Sequence, residues 1–193
     1  MKFDSLSQCK QYISADAYRY IGTYSRMARL KLRLKVIGFR YTRVMRICCY
    51  LRTRKWLLPI YLIYRLKLNR LSYKSGIQIS EVTKIGKGFY IGHFGCRVVS
   101  DQAIIGDNVN ISQGITIGRT NRGEKQGVPT IGNEVYIGPG AKIIGNINIG
   151  SNITIGANAV VTADVPDNAC VAGIPAKIIS YAGSEGYVNR KVY

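Results

Sequence analysis

The sequence predicts a mainly β protein, a parallel β-helix preceded by a basic α-helical region, and three observations carry that expectation. From Ile79 onward the chain repeats itself at a period of six. Gly very often follows the repeated position directly, and Gly or Asn recurs at the corners between repeats, where tight turns need residues that tolerate positive φ. The charge is lopsided: residues 1–75 hold 18 Lys and Arg against Asp4 and Asp16, whereas residues 76–193 hold 10 basic and 8 acidic residues. The 193 residues therefore divide into a basic helical region at 1–75, a repeat domain at 76–180 and a tail at 181–193.

The whole chain carries +18, is 47% apolar and has a mean hydropathy near zero, values that fit a globular protein with a sizeable core. Such a charge points to nucleic acid or an anionic membrane surface, depending on where it sits. In the N-terminal region it sits on helical patterns. Tyr41, Val44, Met45, Cys48 and Leu51 share one face, with Arg40, Arg43, Arg46 and Arg54 around it. An apolar run from Trp56 to Tyr64 follows, interrupted by Pro59 and about half the length of a membrane span. Basic helices edged with Trp and Tyr suit peripheral attachment to a membrane, with oligomerisation through a solvated basic face as the alternative. No finger, recognition helix or aromatic platform argues for nucleic acid. Met1–Lys10 lacks the apolar core of a signal peptide. Five cysteines without C-x-x-C spacing and a single histidine do not make an ordinary zinc site, so no metal is expected and the thiols read as reduced, in a cytoplasmic protein; peripheral attachment through the basic region would put it at the inner face of the membrane.

In the repeat domain the first positions of the hexads are Ile79, Ile85, Ile91, Val99, Ile105, Ile111, Ile117, Ile131, Ile137, Ile143, Ile149, Ile155 and Val161. Neither a helix nor an alternating strand has period six. A short β-segment with an inward branched residue, then a turn, does; three such units make a triangular coil, and coils stack on a shared apolar column. Asn108, Asn146 and Asn158 are the expected corner residues. The register breaks twice: by two residues within 92–97, around His93, and by eight within 118–130. Insertions in a solenoid loop out from its face, where a site can be built.

The hexads, the extruded loop and the closing run Val171-Ala172-Gly173-Ile174-Pro175-Ala176-Lys177 together resemble the hexapeptide-repeat acyltransferases. Lys84–Gly88, Gly92-His93, Ile111–Gly118 and Gly138–Gly145 are similar to the serine acetyltransferase branch in order and spacing, over about residues 76–180. The resemblance implies a left-handed β-helix, assembled as a homotrimer or a dimer of trimers, with acetyl-CoA as co-substrate between subunits. It places the catalytic base on His93, the only histidine; a neutral imidazole can take the proton of a hydroxyl acceptor. It places CoA along Gly118, Arg119, Thr120, Pro139, Gly140 and Ala157, with Lys177 on a phosphate. Cys96 reads as a small apolar filler.

The sequence departs from that branch where the acceptor binds. The acid that partners the histidine falls on Gln78, a second acid falls on Gly92, and the Arg-His pair that grips a carboxylate falls on Gly127 and Val128. A zwitterion without counter-charges is expensive to bury. The expected acceptor is therefore a neutral saccharide hydroxyl, as in capsular and exopolysaccharide acetyltransferases, with Gln78, Gly92, Asp101, Asn121 and Arg122 around it and Asp101 a candidate to orient His93. Serine is the alternative acceptor, and a non-catalytic β-helix scaffold the second alternative.

Overall fold

The computed structural model describes residues 1–193. Four helices precede the solenoid: α1 (Leu6–Ile21), α2 (Arg26–Lys35), α3 (Ile37–Leu51) and α4 (Leu58–Ser75). The Ser5 and Ser25 hydroxyls accept from the backbone N–H groups of Gln8 and Ala28, satisfying free donors in the first turns of α1 and α2. Pro59 lies in the first turn of α4, where its missing N–H costs nothing, so it starts this helix rather than interrupting it. Gly76 at φ 67° ends α4 and delivers the chain into the first strand. No helix is long and apolar enough to cross a membrane.

Fifteen short strands then wind into a left-handed parallel β-helix of about 5 turns with three faces. The first face stacks β1 (Ile77–Ile79), β4 (Arg97–Val99), β7 (Thr116–Gly118), β10 (Lys142–Ile144) and β13 (Val160–Val161). The second stacks β2 (Lys84–Ile85), β5 (Ile104–Ile105), β8 (Thr130–Ile131) and β11 (Asn148–Ile149). The third stacks β3 (Tyr90–Ile91), β6 (Asn110–Ile111), β9 (Tyr136–Ile137), β12 (Thr154–Ile155) and β14 (Cys170–Gly173), with β15 (Ala176–Ser180) turning back antiparallel on β14. All thirteen hexad positions point inward and are at most 5% exposed. Asn108 and Asn158 take positive φ at corners as expected; Asn146 does not, because Gly145 beside it (φ 99°) makes that turn.

The helices share the solenoid's core. Tyr41, Val44, Met45, Cys48, Leu68 and Leu71 join the Ile/Val column in one cluster. Helix α3 comes close to the solenoid at Gly38, where a Cβ would sit 2.5 Å from the Ile91 carbonyl oxygen and 2.9 Å from its Cβ. Gly38→Val is expected to cost about 3 kcal/mol, the upper end of overpacking, because the obstacle is backbone. Chemical denaturation measures this, and an unchanged midpoint would mean that α3 slides freely on β3.

Arg46, expected on the basic periphery, is completely buried instead. Its Nε lies 3.1 Å from Asp16 Oδ2, and its other donors reach the carbonyls of Ile85 (2.7 Å) and Gly86 (2.6 Å), while the Phe89 N–H donates to Asp16 Oδ1 (2.8 Å). This ion pair locks α1 and α3 onto the first coil. The tail after β15 runs back along the third face toward α1. Tyr187 stacks on Tyr136 (4.6 Å), Asn110 Nδ2 donates to the Tyr187 carbonyl (2.8 Å), Asn108 exchanges two hydrogen bonds with the Val192 backbone, and Arg19 Nε donates to the Asn189 carbonyl (2.8 Å).

Candidate active site

His93 sits on an exposed corner between the third and first faces, in the loop that joins β3 to β4. The backbone on both sides of it is pinned. Before it, the hydroxyl of half-buried Tyr20 donates to the Ile91 carbonyl and accepts from the Ile91 N–H, both at 2.9 Å; desolvation raises the phenol's pKa, which keeps it a donor. The Gly92 N–H is tied to the Ile111 carbonyl at 3.1 Å. After it, Arg97 donates from Nη1 to the Gly95 carbonyl (2.8 Å) and from Nη2 to the carbonyl of His93 itself. Arg97 is completely buried without a carboxylate partner, and burial lowers its pKa.

Sequence reasoning missed Arg97, although a signal was present. The position two before each hexad residue is a second inward position, held on this face by Ile77, Ile115, Ala141 and Ala159. A cation there is the one charged residue in an apolar series. It makes sense only as a side chain folded back to satisfy a loop's carbonyls.

Above His93 on the same edge, successive coils turn at Ser112-Gln113-Gly114, at Gly138-Pro139-Gly140 and at Gly156-Ala157-Asn158, with Pro139 and Gly140 half-buried and Ala157 exposed. Gly140 (φ 73°) packs so closely under the next coil that its Cβ would meet Asn158 Oδ1 at 1.9 Å. His93, Gln113, Pro139 and Ala157 thus stand on one edge in successive coils, and the two coils above Gln113 present little side-chain bulk. Lys177 lies exposed on β15, near the end of the solenoid away from the helices.

The other predicted residues lie elsewhere in the chain. Gly118, Arg119, Thr120, Asn121 and Arg122 belong to the extruded loop on the opposite edge of the first face, which closes on itself through paired backbone hydrogen bonds between Thr120 and Gly127 (3.0 Å each). Five residues of extended chain across that face span roughly 16 Å. Asp101 also lies on that far corner, so it does not orient the His93 of its own chain. Gln78 projects from the first face into a cleft of about 560 Å³ that it shares with Gly118 and Arg119. His93 and Gly92 line a different cleft, about 320 Å³, walled by Tyr90, Tyr136 and Tyr187 with Arg19 and Arg190. Cys96, read as a filler, is exposed.

Gly92 and Gly127, the two glycines at the expected acceptor positions, differ in the room around them. A Cβ on Gly92 would meet only ordinary contacts at 3.6 Å and beyond, so a side chain is not excluded there at its first atom. Gly127 has φ 138° and a Cβ there would lie 2.9 Å from Asn146 Cβ, so an arginine would not fit without moving the loop.

The three-faced solenoid with an extruded loop, a histidine at one corner and small-residue turns higher on the same edge defines a β-helix of the hexapeptide-repeat class. The family described as bacterial transferase hexapeptide (six repeats) matches residues 129–163. The serine acetyltransferase of Staphylococcus aureus (strain Mu50) is 45% identical over 109 residues, 56% of this chain and 51% of that one. The serine acetyltransferase of Synechococcus elongatus is 38% identical over 109 residues, 56% of this chain and 45% of that one. The chain spans about half the length of these curated relatives. Among solved structures, the Neisseria gonorrhoeae serine acetyltransferase in complex with serine superposes with a TM-score of 0.71 at 32% identity, covering 91% of this chain and 71% of that one. A serine acetyltransferase in complex with CoA gives 0.71 and 32%, covering 90% and 71%. The chain belongs to the hexapeptide-repeat transferase family, on its serine acetyltransferase branch. These relatives carry the serine acetyltransferase name, not that of polysaccharide acetyltransferases.

Proposed function

We propose that the protein is an acetyl-CoA-dependent O-acetyltransferase with His93 as its general base. The observation that carries this reading is His93 on a doubly pinned corner, on the edge where the coils above Gln113 turn through the small residues Pro139, Gly140 and Ala157. The acceptor hydroxyl gives its proton to the neutral imidazole as its oxygen attacks the thioester carbonyl. Backbone N–H groups hold the resulting oxyanion. The intermediate then collapses, the C–S bond breaks, the imidazolium returns its proton to the departing thiolate, and the O-acetyl ester and free CoA leave. CoA lies along Pro139, Gly140 and Ala157, with Lys177 toward a phosphate.

The loop residues Gly118, Arg119 and Thr120 stand across the first face from His93, so a site using both draws the loop from a neighbouring copy. This supports a homotrimer with shared sites. Serine is the acceptor that the relatives' names and the serine complex support. One observation favours a neutral acceptor such as a saccharide: Gln78, Gly92, Gly127 and Val128 carry no charge, and at Gly92 a side chain is not excluded at its first atom. Unpaired burial of the serine ions would cost several kcal/mol on an order-of-magnitude scale, roughly.

Thiol release from acetyl-CoA, measured with serine and with a panel of sugars and nucleotide sugars, separates these readings. Turnover with serine establishes the serine reading, and turnover with a sugar alone the saccharide one. No CoA binding at all would overturn both in favour of a scaffold. Within the same assay Arg97→Met is expected to lower kcat by about 10- to 100-fold by freeing the His93 loop, with KM for acetyl-CoA unchanged. Its melting temperature should move little, since apolar replacement of a buried charge is often neutral. Loss of stability in step with activity would reduce Arg97 to a packing role.

A further inference from the structure

The helical region has a surface that the transferase chemistry does not use. On α2, five of ten residues are Lys or Arg, only Leu32 is buried, and Met27, Leu30 and Leu34 are exposed. A ten-residue helix with one buried side chain gains little from its own core. On α4, Tyr61, Tyr64, Leu68 and Leu71 face the protein, yet the outward side is also apolar: Leu58, Leu62, Ile63 and Leu66 are each more than half exposed. Trp56, just before α4, is 78% exposed. Three depressions between α2, α3 and α4 run into one another through shared Leu30, Arg33, Arg40, Arg43, Lys67 and Leu71, and no acidic residue lines any of them. Of the two acids in the first 75 residues, Asp16 is consumed by Arg46 and Asp4 lies before α1.

We propose that this α2–α4 surface docks the protein on an anionic phospholipid membrane. Cations and apolar side chains interleave there: Ile63, Leu66, Lys67, Arg70 and Lys74 follow one another at helical spacing along one stripe. That combination matches a headgroup layer above acyl chains, with lysine and arginine on phosphates and Leu, Ile and Trp below them. A second copy of the chain is a poor occupant, because it would bring an equally basic, acid-free face against this one. Nucleic acid would meet the cations but leave the exposed aliphatic side chains without a partner. None of the residues lining these depressions lines the His93 cleft, so the inference is independent of the acceptor.

Vesicle co-sedimentation of the full chain tests it, with phosphatidylcholine alone and with phosphatidylcholine mixed with phosphatidylglycerol. Binding is expected only to the mixed vesicles, weakening about fivefold for each cation removed. The quadruple variant Arg33→Glu, Arg40→Glu, Lys67→Glu, Arg70→Glu should stay in the supernatant with an unchanged circular dichroism spectrum. Ile63→Ser with Leu66→Ser should weaken binding at high salt more than at low salt, since the aliphatic contact persists when charge is screened. Binding indifferent to the lipid charge would overturn the proposal, as would failure to sediment. Displacement of the protein from vesicles by a modest excess of duplex DNA would replace the membrane with nucleic acid. Self-association in sedimentation velocity that the quadruple variant abolishes would replace it with a second copy.

Discussion

His93→Ala is expected to slow acetyl transfer by about 10²- to 10⁴-fold while leaving the protein folded and able to bind CoA. The imidazole lies at an exposed corner and packs into no core, so its removal is expected to take away the proposed proton acceptor and little else. The loop's shape does not depend on it, because the pinning groups act on backbone: Tyr20 on Ile91, and Arg97 on the carbonyls of His93 and Gly95. A steady-state assay alongside calorimetric titration with CoA checks the split. If the variant keeps wild-type turnover, the base lies elsewhere. If it loses CoA binding as well, the corner is part of the nucleotide track and not of the proton path.

The largest expected effect on stability comes from Asp16→Ala. Asp16 and Arg46 have completely buried side chains, and the substitution leaves a guanidinium in the interior with carbonyls but no counter-charge. Breaking a buried pair from one side costs about 3–5 kcal/mol, a large share of a typical total of about 5–15 kcal/mol. The Phe89 N–H loses its acceptor at the same time. Urea denaturation of Asp16→Ala, Arg46→Met and the double variant gives the coupling. The double variant should recover part of the loss, because no unpaired charge remains. Additive losses would show that the two residues act independently.

The repeat is a local code, and what it dictates was legible from the chain. Thirteen Ile and Val positions specified thirteen inward strands, and the two breaks in their register marked the histidine corner and the extruded loop. Turn placement was less secure, since neighbouring residues compete for the same corner, as Gly145 and Asn146 do. Buried cations were not legible in the helices. Arg46 shares its helix with exposed Arg40 and half-buried Arg43, and what turns it in lies far away in the chain: Asp16, 30 residues earlier, and the carbonyls of Ile85 and Gly86. The far corner of the first face defeated a different inference. Asp101 follows His93 closely in sequence, but a strand of the solenoid carries it to the opposite edge. Nearness along a coil is not nearness in space, whereas residues one coil apart are stacked directly on one another.

A stack of coils is ordinarily an open-ended object, each layer answering only to its neighbours and free to peel from either end. Here the last residues return to the first helix: Arg19 and Asn189 meet across 170 positions of chain. That strap makes the molecule a closed circuit, so the terminal coil cannot fray without releasing the tail from α1, and α1 cannot lift without exposing Asp16 and Arg46. Amide exchange across the upper and lower coils should accordingly follow one common opening event, not a gradient of protection falling toward the final turn.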